Sequence, residues 1–385
     1  MSKKIYYKEL IMLVVLAIYL FSVFFIQNSM LNLNPTMSGL VSVVKNFFLL
    51  SCIIIAIFFN RYTMKEIVII LSLLLLFIIT DILAGSSPLL ELLIFIVGLK
   101  EVPLKSILKT YLLTSLISYV GIILLNFLSV IPDRLVIRDG IERSSLGFWH
   151  PNTTSLGLLT IYLLAMYLSK DKYKVLLTII FGILSMVVYT FTNSRTSMIL
   201  ILVAGLFTLI SYIFRNAKYN ILGTKHVLPF IFIGLTVISW IVSILYIHQN
   251  ALAIQLSQLL SNRISLGARF IQEYGLSLFG QPIQYNSSNN LTQVVIGFQY
   301  RVLDNVYLKY LLNYGIISIV GLFLYLYILM YKLNKKNRIL VNMYLLIYLF
   351  YGLAEQSAFN ATVNFFMCFG VILFTNKKNN EFLNE

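Results

Sequence analysis

Seven arginines stand in connectors that contain no lysine: Arg134, Arg138, Arg143, Arg195, Arg263, Arg269 and Arg301. Lysine would solubilise a loop equally well. A guanidinium differs in presenting a planar fork of donors that matches phosphate or carboxylate, so arginine in place of lysine points to oxyanion recognition. For five of them a nearby acid offers a plainer role. Arg134 adjoins Asp133, Arg138 adjoins Asp139, and Arg143 adjoins Glu142. Arg269 has Glu273 at helical i,i+4 spacing, and Arg301 lies three residues before Asp304. Adjacent side chains need not face each other, so pairing and function both stay open at these positions. Arg195 and Arg263 have no acid within several residues. Arg195 sits in the polar turn Phe191-Thr-Asn-Ser-Arg-Thr-Ser197, where it either binds an anionic substrate or snorkels to lipid headgroups.

Candidate proton carriers are few. Ser144-Ser-Leu-Gly-Phe-Trp-His-Pro-Asn-Thr-Thr154 places Trp149, His150 and Asn152 at the start of an apolar segment. Asn152 reads as a helix N-cap, and His150 as either an interfacial anchor or a general base. Asp304 opens another apolar segment, as a helix cap beside Asn305 or as an acid with a chemical role. Glu355 opens the last connector, in Ala354-Glu-Gln-Ser-Ala-Phe-Asn360, in a structural or a catalytic role. Lys45 and Glu91 fall in or near apolar segments, where a charge is a functional candidate by default, and they are a possible pair. No glycine-rich nucleotide loop, Ser/His/Asp order or Cys/His cluster occurs, so neither metal nor cofactor is expected. Cys52 and Cys368 sit deep in apolar runs as packing residues.

The elements that must hold these groups are membrane helices. Of 385 residues 59% are hydrophobic and 11% charged, against roughly half and a quarter for a soluble domain. Apolar segments lie near 10–27, 38–59, 67–83, 87–99, 105–131, 153–168, 175–191, 198–214, 226–247, 305–330, 340–354 and 359–375. This predicts an all-α polytopic membrane protein of about twelve transmembrane helices, in a single integral membrane domain over 1–385. The fourth segment is too short to cross as a straight helix. Lysine-bearing connectors alternate with the others, which places them and both termini in the cytoplasm by the positive-inside rule. The net charge of +15 is thereby accounted for without a nucleic-acid partner. On the outer side fall 132–152 and a large loop at 248–304 between helices nine and ten. At about 50 residues that loop is long enough to act as a lid.

Several short motifs in this order resemble the bacterial Wzy-type polysaccharide polymerases of capsule, exopolysaccharide and O-antigen assembly, a superfamily shared with the O-antigen ligases. They are Arg143-Ser-Ser-Leu-Gly-Phe-Trp-His-Pro-Asn152, Thr192-Asn-Ser-Arg-Thr196, Arg269 with Leu278-Phe-Gly-Gln281, and Leu303-Asp-Asn-Val-Tyr307 with Tyr314-Gly-Ile316. Arg269 and Gly280 have the spacing of the Arg-x10-Gly pattern of some polymerases; the arginines of 132–152 lack it. The large loop has no internal histidine, a departure from the ligases.

The resemblance implies a GT-C-like glycosyltransferase on the outer face of the bacterial plasma membrane. Its substrates would be glycans on undecaprenyl diphosphate, within membrane lipid, and a flippase and a chain-length regulator would work in the same pathway. It implies catalytic roles among Arg195, Arg269, His150, Asp304 and Glu355, and substrate binding by Arg263, Arg143, Asn152, Arg301 and Tyr307. The tyrosines and amides of 284–300 would bind sugar hydroxyls. A transporter or flippase without chemistry is the alternative class, and a ligase-like glycan transferase a third.

Overall fold

The computed structural model describes residues 3–86, 88–138, 140–213, 223–286 and 301–374. Most of the tyrosine- and amide-rich stretch at 284–300, and Lys377 and Lys378, lie outside them. The chain begins with α1 (Lys3–Phe21), continued by a π-helical turn at Ser22–Gln27, then α2 (Pro35–Phe58), α3 (Met64–Ala84), α4 (Pro88–Gly98) and α5 (Leu104–Phe127). A hairpin of β1 (Leu135–Arg138) and β2 (Ile141–Ser144) follows, with Leu135 opposite Ser144. Next come α6 (Pro151–Leu168), α7 (Asp171–Thr192), α8 (Arg195–Ile213) and α9 (Val227–Ile247). The chain ends with α10 (Ala251–Leu259), α11 (Arg263–Tyr274), α12 (Val306–Asn313), α13 (Gly315–Lys332), α14 (Lys335–Tyr351) and a 3₁₀-helix at Phe365–Leu373.

This is an all-α membrane protein. Among the described residues seven helices are long and apolar enough to cross a bilayer: Tyr7–Gln27, α2, α3, α5, α7, α9 and α13. The other expected segments differ in instructive ways. At about 1.5 Å per residue, α4 is too short to cross alone, and Lys45 of α2 pairs with its Glu91 at 2.6 Å. α6 is interior, with Thr154, Ser155 and Thr160 buried along with its leucines. α14 is interior too, its buried face running from Val341 to Tyr351. The small hairpin is not an all-α feature; Asp139-Gly140 in the sequence is its turn signal.

The segment expected as one helix over 359–375 is instead irregular to Asn364 and 3₁₀ beyond it. Its carbonyls are taken by side chains before an i→i+4 ladder can form. Tyr111 donates to the Ala361 carbonyl at 3.1 Å, Tyr348 to Val363 at 3.0 Å, Tyr325 to Met367 at 2.7 Å, and the Asn364 amide to Ala358 at 2.9 Å. Ala358, Phe359, Asn364 and Phe365 are all buried. Non-helical backbone at this depth is tolerated only where protein supplies its hydrogen bonds.

The expected helix at 305–330 is broken between α12 and α13. Gly315 there has φ +82°, and Gly280 of the Leu278-Phe-Gly-Gln281 run has φ +103°. The two runs dock backbone to backbone. Gln281 N donates to Asn313 O at 2.9 Å, Ile316 N to Ser277 O at 3.0 Å, and Ile317 N to Leu278 O at 3.1 Å. The loop therefore caps the first turn of α13, supplying acceptors to otherwise orphaned amides.

The described part of the large connector holds two helices, α10 and α11. Phe270 and Ile271 of α11 bury against Leu303, Leu308 and Leu312, with Trp240 and Ile244 of α9 packed alongside. Asn286 and Arg301 pair through both backbone hydrogen bonds at 2.8 Å, closing the neck of the undescribed stretch.

Contacts sort many of the connectors into two sets. In one, Met30 N reaches Gly147 O at 3.0 Å and Trp149 N reaches Asn28 O at 2.9 Å. In the other, Lys8 pairs with Glu101 at 2.9 Å, Lys100 with Glu66 at 3.0 Å, and Arg338 donates to Gly223 O at 3.0 Å.

A side chain at Gly280 would meet Asn313 O at 2.5 Å, and one at Gly315 would meet Leu278 O at 2.4 Å. Gly280→Ala and Gly315→Ala should each destabilise the protein by about 1–3 kcal/mol or more, from left-handed strain plus overlap with backbone. Gly234→Ala, where nothing lies within 4 Å, is the control. Thermal unfolding of detergent-solubilised protein reads the difference; a Gly315→Ala variant melting with wild type would refute the docking argument.

Candidate functional site

At the end of the bundle formed by the first set, five polar side chains from distant parts of the chain meet. Each is delivered by a helix terminus or by the connector beside one. Arg143 lies on β2, Asn152 in the first turn of α6, and Arg263 at the first position of α11. Asp304 immediately precedes the Asn305 cap of α12, and Glu355 follows α14 on the irregular segment.

α6 begins where Pro151 occupies its first position, with φ already suited to a helix. The N-cap is His150, not Asn152: His150 Nδ1 accepts from Asn152 N at 3.1 Å. The histidine thus spends its Nδ1 lone pair on backbone, and the Asn152 amide is released to work elsewhere. At α12 the cap is Asn305, whose Oδ1 accepts from Leu308 N at 3.1 Å, so the Asp304 carboxylate is also left free of capping duty.

The side chains form a continuous relay. Arg143 is only 3% exposed; it donates from Nε to Thr192 O at 2.7 Å and from Nη2 to Asn152 Oδ1 at 2.8 Å. Asn152 Nδ2 then donates to Glu355 Oε1 at 2.8 Å, and Ser194 Oγ approaches Asn152 Oδ1 at 3.4 Å. On its other side the Glu355 Oε1 faces Arg263 Nη2 at 3.5 Å, while Arg263 Nε faces Asp304 Oδ2 at 3.5 Å. Lys309, one α12 turn past Asp304, donates to Gln356 Oε1 at 2.6 Å. Arg263 and its two acids each keep a little under one fifth of their side-chain surface exposed.

Burial sets the protonation balance. It pushes the Glu355 carboxyl up to about 7, a rise that the nearby Asp304 charge reinforces. Arg263, the Asn152 amide and Arg143 pull it back without cancelling it. Asp304 is also raised by burial, against the opposing pull of Arg263 and Lys309. Two carboxylates around one guanidinium, one titrating near neutrality, can accept a proton from a hydroxyl and leave cationic groups to face an anion. Among the described residues no cluster of three or more His, Cys, Asp or Glu side chains could hold a metal ion.

Other sequence candidates are placed differently. Arg269 pairs with Glu273 at 2.9 Å, and Arg301 pairs with the same Glu273 rather than with Asp304. Six residues separate Arg269 from Arg263, which turns it about 120° away around the helix. Arg195 is exposed at the first position of α8, following the Thr192 and Ser194 that bond to the relay. Tyr307 is fully buried, packed on Phe232 and Phe359, and its hydroxyl donates to Leu349 O at 2.6 Å, which makes it a core residue. Arg134 donates to Trp149 O at 2.9 Å and stacks over the Trp149 ring instead of pairing with Asp133. Lys309 was not among the site residues expected from sequence, and Thr192 and Ser194 entered there only as neighbours of Arg195. The signals for Ser194 and Thr192 were their place in the polar turn around Arg195 and in the run Thr192-Asn-Ser-Arg-Thr196.

The sign of the pH dependence follows from the raised Glu355 carboxyl. The folded state holds a proton on Glu355 up to about 7, whereas an unfolded glutamate releases it near 4.5. The contribution of this group to stability is present below the unfolded value and is lost as pH rises toward 7. Glu355→Gln, which mimics the neutral acid, should flatten that part of the pH–melting profile, read by thermal unfolding from pH 5 to 8. An unchanged profile would mean that Glu355 does not titrate there.

Comparisons with protein-family models, with curated proteins and with solved structures return no match, so the geometry and the residue pattern stand by themselves.

Proposed function

We propose that this chain is a membrane glycosyltransferase that polymerises lipid-linked oligosaccharide repeat units. The observation that carries the reading is Glu355, a carboxyl raised toward neutrality and held between Asn152 and Arg263 at one end of the bundle. The lysine pattern supports an outward-facing position for that end, and the bacterial plasma membrane is what the resemblance to the polymerases implies.

In the proposed reaction an acceptor hydroxyl attacks the anomeric carbon of the donor glycan. The Glu355 carboxylate takes the hydroxyl proton as the new C–O bond forms. The bond from the anomeric carbon to the lipid diphosphate breaks, and the diphosphate leaves with the electron pair. Arginines stabilise the charge that develops on it. Arg263 is the closest such group to the base, and Arg195 is exposed on the neighbouring turn. The ion pairs that Arg263 makes with Asp304 and Glu355 would then be exchanged for the diphosphate, freeing the base as the donor binds. The α10–α11 pair acts as the lid that brings Arg263 in.

The second reading is a flippase. Two features favour it: the broken α12–α13 helix and the buried irregular segment, since such breaks build substrate sites in transporters.

Deletion followed by analysis of lipid-linked sugars separates these. A polymerase defect leaves single repeat units on the outer leaflet; a flippase defect leaves them on the inner leaflet, and a ligase defect leaves full-length polymer on its lipid. Arg195→Lys should keep charge and folding yet lower polymer yield by roughly 100-fold, the scale for losing one oriented donor to a developing oxyanion. Wild-type polymer length and yield in that variant would remove Arg195 from the mechanism.

A further inference from the structure

Beside the charged relay lies a cavity of about 250 Å³ with a different chemistry. It is bounded by the π-helical turn, α5, one face of α6 and the irregular segment. Along α6 it runs from Thr153 to Thr160, about 10 Å at 1.5 Å per residue. Thr153 directly follows Asn152, and Ser357 lies two residues past Glu355, so one end of the cavity adjoins the relay.

No Asp, Glu, Lys or Arg lines it. The lining instead carries uncommitted neutral polar groups. The Tyr119 side chain is 8% exposed, and its hydroxyl is buried with no hydrogen-bond partner. Asn360 is exposed to this space between the buried Phe359 and the partly buried Ala361. Among the described residues its side chain, like those of Gln27, Ser357 and Thr362, makes no hydrogen bond. The buried Tyr119 hydroxyl is costly to leave unpaired, and a ligand that satisfies it is the physical counterpart to that cost, while the exposed Gln27 and Asn360 are open to bond the same ligand. The aromatic rings of Tyr119 and Phe148, 5.2 Å apart between centroids, add apolar faces.

We infer that this cavity is a binding site for a neutral sugar ring, formed by Gln27, Tyr119, Ser357, Asn360 and Thr362. Amides and hydroxyls match sugar hydroxyls, aromatic faces match the C–H faces of the ring, and the absence of charge disfavours phosphate and uronate. At roughly 30 Å³ per water-sized group the volume holds on the order of eight such groups, about one ring with its hydroxyls. Its nearness to Glu355 makes it the subsite for the acceptor sugar; that last assignment rests on the proposed function, whereas neutral-sugar binding does not.

The test uses the purified full chain in lipid nanodiscs and saturation-transfer NMR with glucose, galactose, N-acetylglucosamine and lactose, and with glucuronate as the charged counterpart. At least one neutral sugar should give signal and glucuronate should not. Ser115→Leu fills the cavity from α5, where the serine hydroxyl bonds only its own helix at Leu112 O, and should abolish the signal. Asn360→Ala, which adds no bulk, should weaken binding about three- to tenfold. Glu355→Gln should abolish polymer synthesis while neutral-sugar binding persists; wild-type polymer yield in that variant would overturn the proposed reaction and leave the sugar site standing. Absence of signal from every neutral sugar would overturn the site. So would equal signal from glucuronate, or undiminished binding in both Ser115→Leu and Asn360→Ala.

Discussion

Non-helical backbone packed inside a bundle must have its carbonyls satisfied by protein wherever water is excluded, and much of this molecule is arranged around that requirement. Residues 354–364 sit in the bundle without a helical ladder; tyrosine hydroxyls from α5 and α14 supply donors to them, and one from α13 does so in the 3₁₀ turn that follows. The consequence reaches beyond packing. A regular helix through these residues would place Glu355 and Asn360 by helical periodicity alone. The irregular path presents Glu355 to Asn152 and Arg263, and Asn360 to the neutral cavity, from one short segment.

Charges brought together at this depth must answer to one another. Isolating a carboxylate there is costly, and the attraction of a single guanidinium does not offset the loss of water for two acids. The result is partial compensation: both acids stay raised, and the site retains a group able to change protonation near neutrality. The Glu273 cluster on the far side of α11 shows the contrast. Its partners Arg269 and Arg301 are considerably more exposed, and such pairs contribute about 0–1 kcal/mol each. They serve to hold the lid's shape and the neck of the connector, with little consequence for protonation.

The two backbone dockings complete the positioning. The run around Gly280 seals the break before α13, which in turn fixes α12 and hence Asp304. The same run continues from α11, whose first residue is Arg263. One glycine-to-glycine contact therefore sets the relation between the lid's arginine and the acid it faces.

Class, helix content and the lysine asymmetry were legible from residue types, because hydrophobic run length and charge are additive along a chain. Arg263 stood out by lacking a local acid, and Glu355 and Asp304 by their place at segment ends. Which acids Arg263 meets was not legible, since both partners lie far along the chain and only the folding of α11 onto α9 brings them within reach. Local spacing offered Asp304 as a partner for Arg301 and Asn152 as the cap of α6, and the structure supplies Glu273 and His150 instead, because several partners satisfy a spacing rule and tertiary packing selects among them. The large polar connector read as a loop because its apolar face, Phe270 and Ile271, becomes a face only once α11 is wound against Leu308 and Leu312. Periodicity in sequence could reveal helices that bury a stripe in lipid; the irregular segment and its cavity exist through tyrosine donors from three other helices, which no local pattern encodes.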